Sequence, residues 1–261
     1  MPAVFPFKVH SAAQDGIECW GVECHRTQWG QRRLVDGHRA HPVCIVTSIL
    51  PMKHTNIAVL ETRWWARSNV SVRGFFDLIA DIHCDNPHTY HYEMVNSEQA
   101  AKEAITRIGS LRHCKYLYFA SHGDEGGLHF EGEQRLTRTE LRNALAASDG
   151  SQFIGLYLGA CAFGARSLAD HLFKNGDVKL KWVAGYSKDL DWVQSSVLDL
   201  LVLNEILGRR RKGDSTPQHL QRSMKKVNKL AGGLIKELGF GFYVPKGRRG
   251  GVKNLLDGDE V

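Results

Sequence analysis

No stretch of this 261-residue chain approaches the roughly 20 consecutive apolar residues that a bilayer span demands, so a membrane-spanning helix is not expected. No basic segment followed by an apolar core opens the chain, and the expectation is a protein without a secretory leader. The six cysteines, at 19, 24, 44, 84, 114 and 161, are scattered and form no C-x-x-C pair. That argues against a disulfide-stapled scaffold and fits a reducing, cytoplasmic setting. There is no internal repeat and no low-complexity segment. What remains is an ordinary folded domain: 43% hydrophobic and 24% charged residues.

Charge is unevenly placed. Residues 208–253 hold thirteen Lys or Arg against two Asp or Glu, a balance of +11, and the chain total of +6 leaves −5 for the rest. Such a segment is either a set of solvated helix faces or a surface for an anionic partner. Its charges are not interleaved with stacking aromatics before Phe240, so recognition of single-stranded nucleic acid is not expected.

Residues 1–51 show no sustained helical or strand period. The expected organisation is an N-terminal extension over 1–51, or a start mis-assigned ahead of Met52, followed by one domain over 52–261. A zinc set from Cys19, Cys24, His38, His41 and Cys44 is the competing reading of the extension, since those residue types suit zinc. Its cysteine spacing lacks a paired knuckle, so no metal and no cofactor is expected.

From Met52 onward strands and helices alternate. A strand at 57–61 precedes a helix over 71–83, striped by Val72, Phe75, Phe76, Ile79 and Ile82. Residues 90–95 alternate polar and apolar, as in a half-covered strand. Ser97 caps a helix to about Leu111. Residues 126–133 read as a small hairpin, and Thr137-Arg138-Thr139-Glu140 as a capping box stapled by Leu136 and Leu141. A short helix over 166–174, a strand at 181–186, helices over 193–207 and 217–237, and a last strand at 240–244 complete the pattern. The order implies an α/β fold, a mostly parallel central sheet with helices on both faces.

Two strands end in chemistry. Tyr116–Ala120 runs into Ser121-His122-Gly123-Asp124, and Phe153–Leu158 runs into Gly159-Ala160-Cys161-Ala162-Phe163-Gly164. Open α/β sheets build their sites beyond the carboxyl ends of strands. If these two strands are neighbours, His122 and Cys161 meet at one edge. A thiolate is the effective nucleophile, and a histidine within reach serves as its base and later as the acid for the leaving group. Backbone N–H groups of Gly123 and Cys161, where strands open into turns, are candidate donors to an oxyanion. Each feature alone is common in inert proteins. Their coincidence on two glycine-flanked strand ends points to a catalytic pair.

This two-part pattern resembles that of the caspase-like cysteine peptidases of clan CD, the caspase–hemoglobinase fold, over about Ile57 to Val244. The histidine-to-cysteine separation is 39 residues and the local string is Gly-Ala-Cys-Ala-Phe-Gly. A metazoan caspase would show Gln-Ala-Cys-(Arg/Gln/Gly)-Gly and about 50 residues. The chain is more similar to the compact prokaryotic branch that includes the CHAT domains. The resemblance implies a three-layer α/β/α domain and an endopeptidase with His122 as base, Cys161 as nucleophile and Gly123 as oxyanion donor. It also implies a protein substrate, and a partner protein in a stress or defence system.

The loop after the 181–186 strand should emerge at the same edge. Asp189 and Asp191 are candidates to pair with a basic substrate side chain, with Asp124 as a third wall residue. Gly185 and Ser187 are candidates to offer backbone to an extended peptide, and Trp192 to wall an apolar subsite. Basic-specific members of the resembled family place acids around this pocket, so cleavage after Arg or Lys is expected. The competing role for Asp189 or Asp191 is to cap the next helix. Two other functions stay open: a catalytically silent adaptor with the same fold, and a binding module for an anionic partner through 208–253. Arg209-Arg210-Arg211-Lys212 also reads as a linker that such an enzyme would cut in its own chain.

Overall fold

The computed structural model describes residues 55–65, 69–147, 151–174, 176–247 and 251–257. The 1–51 extension with its cysteine and histidine set, and Met52, lie outside the described residues. The elements follow in order: β1 (Ile57–Glu61), α1 (Arg73–Cys84), β2 (His91–Met94), α2 (Glu98–Gly109), β3 (Tyr116–Ala120), then three short strands, β4 (Gly123–Asp124), β5 (Gly127–His129) and β6 (Arg135–Leu136). After these come α3 (Arg138–Ala147), β7 (Gly155–Gly159), α4 (Arg166–Phe173), β8 (Trp182–Tyr186), α5 (Trp192–Leu207), α6 (Thr216–Leu238), β9 (Phe240–Pro245) and β10 (Val252–Asn254).

Seven strands form the main sheet in the order β10-β9-β8-β7-β3-β1-β2. The five from β8 to β2 run parallel, and β9 and β10 pair antiparallel at the far edge. Strand residues alternate between two apolar clusters, as the two-residue period of a pleat requires. Leu117, Phe119, Leu156, Leu158 and Val183 face the layer of α2, α3 and α4. Tyr116, Tyr118, Tyr157, Trp182, Ala184 and Tyr186 face the layer of α1, α5 and α6. Both faces are therefore covered. The central strands are continuously apolar because neither side meets water.

Local chemistry sets the boundaries. The Ser97 side chain accepts the Ala100 N–H at the start of α2. Glu140 Oε2 accepts from the backbone N–H and the hydroxyl of Thr137, which closes the box before α3 and holds the Glu140 carboxyl below its ordinary range. Two expectations are corrected. The buried face of α1 is Phe76, Ile79 and Ala80, with Val72 beside it, while Ile82 is exposed, because Phe76, Ile79 and Ala80 share the i, i+3, i+4 face. Residues 126–133 are not a self-contained hairpin. Gly127–His129 pairs with Gly123–Asp124 on one side and Arg135–Leu136 on the other. Among the described residues no helix is long and apolar enough to cross a membrane.

Candidate active site

β3 and β7 are hydrogen-bonded neighbours, with Ala120 opposite Gly159. The next residues of both strands therefore leave the sheet side by side at its carboxyl edge. His122 and Cys161 line one cavity of about 120 Å³ there. The turn under His122 is fixed by Ser121, which is buried. Its N–H donates to the Gly159 carbonyl, and its hydroxyl accepts from Thr62 and lies 2.7 and 2.9 Å from the carbonyls of His122 and His129.

The imidazole is held through one nitrogen. His122 Nε2 lies 2.7 Å from the carbonyl oxygen of Trp64. A carbonyl only accepts, so Nε2 carries the proton and Nδ1 of the neutral ring is left with its lone pair. The indoles of Trp64 and Trp65 meet the imidazole edge-on, with centroids 5.2 and 5.8 Å away.

Trp64 is fixed in turn by Glu61, the last residue of β1, which is fully buried. Oε1 of Glu61 accepts from Trp64 Nε1 at 2.6 Å and Val72 N at 2.9 Å. Oε2 accepts from Ser71 and Tyr92 hydroxyls, each at 2.6 Å. All four acceptor positions are used, which clasps both ends of the 62–72 segment to the sheet. Glu61→Gln exchanges one acceptor oxygen for a donor that faces donors. The expected cost is about 2–4 kcal/mol of stability, from donors left unmade. Well below the lowered melting temperature, any turnover that uses His122 should fall by about tenfold in kcat with KM little changed, because the Trp64 carbonyl no longer holds the imidazole. Thermal melts beside steady-state kinetics check both.

Cys161 sits in a strained turn. Ala162 has φ 51°, in the left-handed region, and the Phe163 N–H folds back on the Cys161 carbonyl at 2.5 Å. Two anchors impose this. The Ala162 N–H donates to the Lys188 carbonyl, and Phe163 is fully buried. A Cβ on Gly164 would stand 2.5 Å from Gly185 Cα, so the turn packs backbone to backbone on the end of β8. Gly123 lies across from it, where a Cβ would be 3.0 Å from the Cys161 carbonyl oxygen. In the β4–β5 ladder the neighbouring His122–His129 pair carries the hydrogen bond, so the Gly123 N–H points away from β5.

Trp64, Phe75 and Trp192 wall the cavity, and Trp192 packs edge-on to Trp64 at 4.6 Å. Tyr118, Gly159, Ser195, Ser196 and Asp199 also line it. Asp199 is an acid in the otherwise apolar turn Leu198-Asp199-Leu200-Leu201-Val202 of α5. Its carboxyl receives hydroxyl bonds from Tyr118 at 2.6 Å and from Tyr157 and Tyr186 at 2.5 Å each. Burial pushes the carboxyl above its ordinary range, and the three hydroxyls pull it back. Burial and the same carboxyl raise all three tyrosines. Among the described residues no Lys or Arg bonds Asp199. Gly159 is what lets Tyr118 reach it, since a Cβ there would stand 2.1 Å from the hydroxyl.

The other residues named from sequence are placed as follows. Trp192 lines the cavity. Asp191 caps α5, accepting the Gln194 N–H at 2.8 Å, and Asp189 is exposed; neither lines the cavity. Ser187 donates through its N–H and hydroxyl to the Gly239 carbonyl, and Gly185 is buried against Gly164. Asp124 holds the β4–β5 turn through the N–H groups of Gly126 and Gly127 and pairs with His129 and Arg135. Glu61, Trp64, Phe75, Asp199 and the three tyrosines were not read as site residues in the sequence. The signals were an acid inside an apolar helix and a tyrosine in each of three buried strands. Among the described residues no cluster of His, Cys, Asp and Glu is arranged to hold a metal.

No family model and no curated protein matches the chain. Among solved structures it is similar to a secreted C11 cysteine protease from Bacteroides thetaiotaomicron, determined in complex with an irreversible peptide inhibitor, at 13% identity and a TM-score of 0.42. The match covers 68% of this chain and 59% of that chain.

Proposed function

We propose that the protein is a caspase-like cysteine endopeptidase that cuts after a basic residue, working in a reducing compartment. The observation that carries this is a cavity bordered by His122 and Cys161 and reaching a buried carboxylate, Asp199. In this reading the aliphatic stem of a substrate Lys or Arg lies between the rings of Trp64, Phe75 and Trp192, and its cationic head meets Asp199. The scissile carbonyl then stands over Cys161.

His122 Nδ1 takes the thiol proton and the sulfur adds to the carbonyl carbon. The oxygen that gains the negative charge is received by the N–H groups of Gly123 and Cys161. As the tetrahedral species collapses, His122 returns its proton to the departing amine, leaving a thioester. Water, deprotonated by the same nitrogen, then releases the acid and the thiol. The Trp64 carbonyl keeps Nε2–H in place throughout and stabilises the imidazolium. Asp199 replaces Asp189, Asp191 and Asp124 as the acid for the basic side chain.

A mixed peptide library, digested and sequenced at the new ends, tests this. Lys or Arg immediately before the cut is the expected result. Acidic or apolar residues there would remove the assigned role of Asp199 while leaving the peptidase class standing.

The geometry also bears on self-cleavage. α5 starts at Trp192 beside the cavity and runs 16 residues, about 24 Å at 1.5 Å per residue, before the 209–212 loop. Cleavage of that loop must therefore come from a second molecule. Fragment yield should rise with the square of protein concentration. A first-order, concentration-independent rate would contradict this placement.

A further inference from the structure

A second cavity, of about 260 Å³, opens at the other end of α5, where the C-termini of α1 and α5 meet the first turns of α6. Its lining carries Arg209 and Arg211 from the loop after α5 and Arg222 and Lys226 from α6, with a single carboxylate, Glu205, among them. His83 and His219 complete the polar wall. We propose that this cavity is a binding site for a small phosphorylated ligand, one that presents a diphosphate or triphosphate group.

The cations are not loosely solvated chains brought together by chance. Arg222 is half-buried and gripped on two sides, by Asp214 and by His219 Nδ1 at 3.3 Å. His219 is itself buried and fixed through Nε2 to the Ile206 carbonyl at 3.1 Å. That leaves Arg222 Nε–H and one hydrogen on each terminal nitrogen for a ligand. Lys226 is set by Glu205 at 2.6 Å, and Ser223 bonds the Glu205 carbonyl, tying α6 to the end of α5. These pairs let four cations gather without a bound anion.

They do not neutralise the cluster. Asp214 and Glu205 answer two charges of the four. Arg209 and Arg211 are exposed; among the described residues neither guanidinium has a hydrogen-bonding partner, though Arg211 shares the field of Asp214 with Arg222. His83 is set beside Asn204 and Glu205 on the same wall, and burial lowers its pKa. Planar, forked donors of this kind fit phosphoryl oxygens two at a time.

The shape selects the ligand class. The volume is just below the ~300 Å³ at which pockets enclose a whole small molecule, so a polyphosphate head fits inside and the remainder of the ligand lies outside. A nucleic-acid surface would instead be an open stripe with stacking rings, and among the described residues no Phe, Tyr or Trp lines this cavity. The site is independent of the peptidase assignment, because α5 separates the two cavities by about 24 Å.

The test is calorimetric titration of the full chain at 150 mM NaCl with sodium pyrophosphate, ATP and a single-stranded 20-mer oligonucleotide. Pyrophosphate and ATP should each bind with one saturable site per chain. Arg209→Ala with Arg211→Ala should weaken both by at least about tenfold and leave the melting temperature unchanged, since both residues are exposed. Lys225→Ala with Lys229→Ala, on the same basic helix but outside the cavity, should leave both affinities unchanged. Three results would each overturn the proposal: no saturable heat with either phosphate compound, equal loss from the two double variants, or tight binding of the oligonucleotide alone.

Discussion

Under the proposed function, Cys161→Ala and His122→Ala should each remove peptide hydrolysis, lowering kcat by at least about 10³-fold, while the protein still melts within a few degrees of the parent. The size of the effect follows from how few groups at the site do chemistry. Among the described residues Cys161 is the one thiol at the cavity, and Nδ1 of His122 is the basic nitrogen left once Nε2 is engaged by the Trp64 carbonyl. Stability is spared because neither side chain belongs to an apolar cluster: His122 is exposed and Cys161 half-buried. The two losses differ in kind. Cys161→Ala leaves no nucleophile, so its residual rate is flat with pH. His122→Ala keeps a thiol without a base, so its residual rate climbs with pH as free thiolate accumulates. Kinetics of both variants across pH, with melts recorded in parallel, check the pair. Substantial activity in His122→Ala at neutral pH would show that another group deprotonates the sulfur.

Sequence and structure agree where one strand carries one message. The apolar runs ending at Ala120 and Gly159 are buried on both faces, so their type and their ends are visible in composition alone. Parallel neighbours share an exit edge, and a histidine and a cysteine each two residues past a strand end then meet by topology. The capping box at Thr137–Glu140 was legible for a similar reason, because it is local chemistry.

What stayed hidden depends on side chains converging from several strands and helices. The acid that reaches the cavity is on α5, 38 residues beyond Cys161, and nothing in an apolar helix says which strand it faces. Only the register of Tyr118 beside Tyr157, with Tyr186 one strand further, makes Asp199 a focus. Trp64 was invisible as a site residue because it meets His122 from 58 residues upstream, through its backbone carbonyl and its ring edge. The acids nearest in sequence, Asp189 and Asp191, drew attention by proximity, yet one is exposed and the other caps a helix. β10 is three residues long and antiparallel, too short to carry a period.

Asp199→Asn should lower kcat/KM for peptides with Lys or Arg before the cut by about 10²–10³-fold, and leave peptides with norleucine there within about threefold. The argument is one of unanswered charge. Asp199 is buried, its partners are three neutral hydroxyls, and burial alone disfavours its ionised form. A basic side chain entering the cavity supplies the missing counter-charge and gains a partner for its own. Asparagine keeps the shape and one acceptor but no charge, so the incoming cation is buried unpaired, a loss of about 3–5 kcal/mol. An apolar side chain of similar length has no charge to lose. Tyr157→Phe separates charge from packing: it removes one hydroxyl bond to the carboxylate and should cost basic substrates no more than about tenfold. Asp191→Ala supplies the contrast, with about 1 kcal/mol less stability from the lost cap and an unchanged ratio of basic to apolar cleavage. If the Asp199→Asn enzyme keeps its preference for Lys and Arg, the cationic head is held elsewhere and the cavity floor is structural.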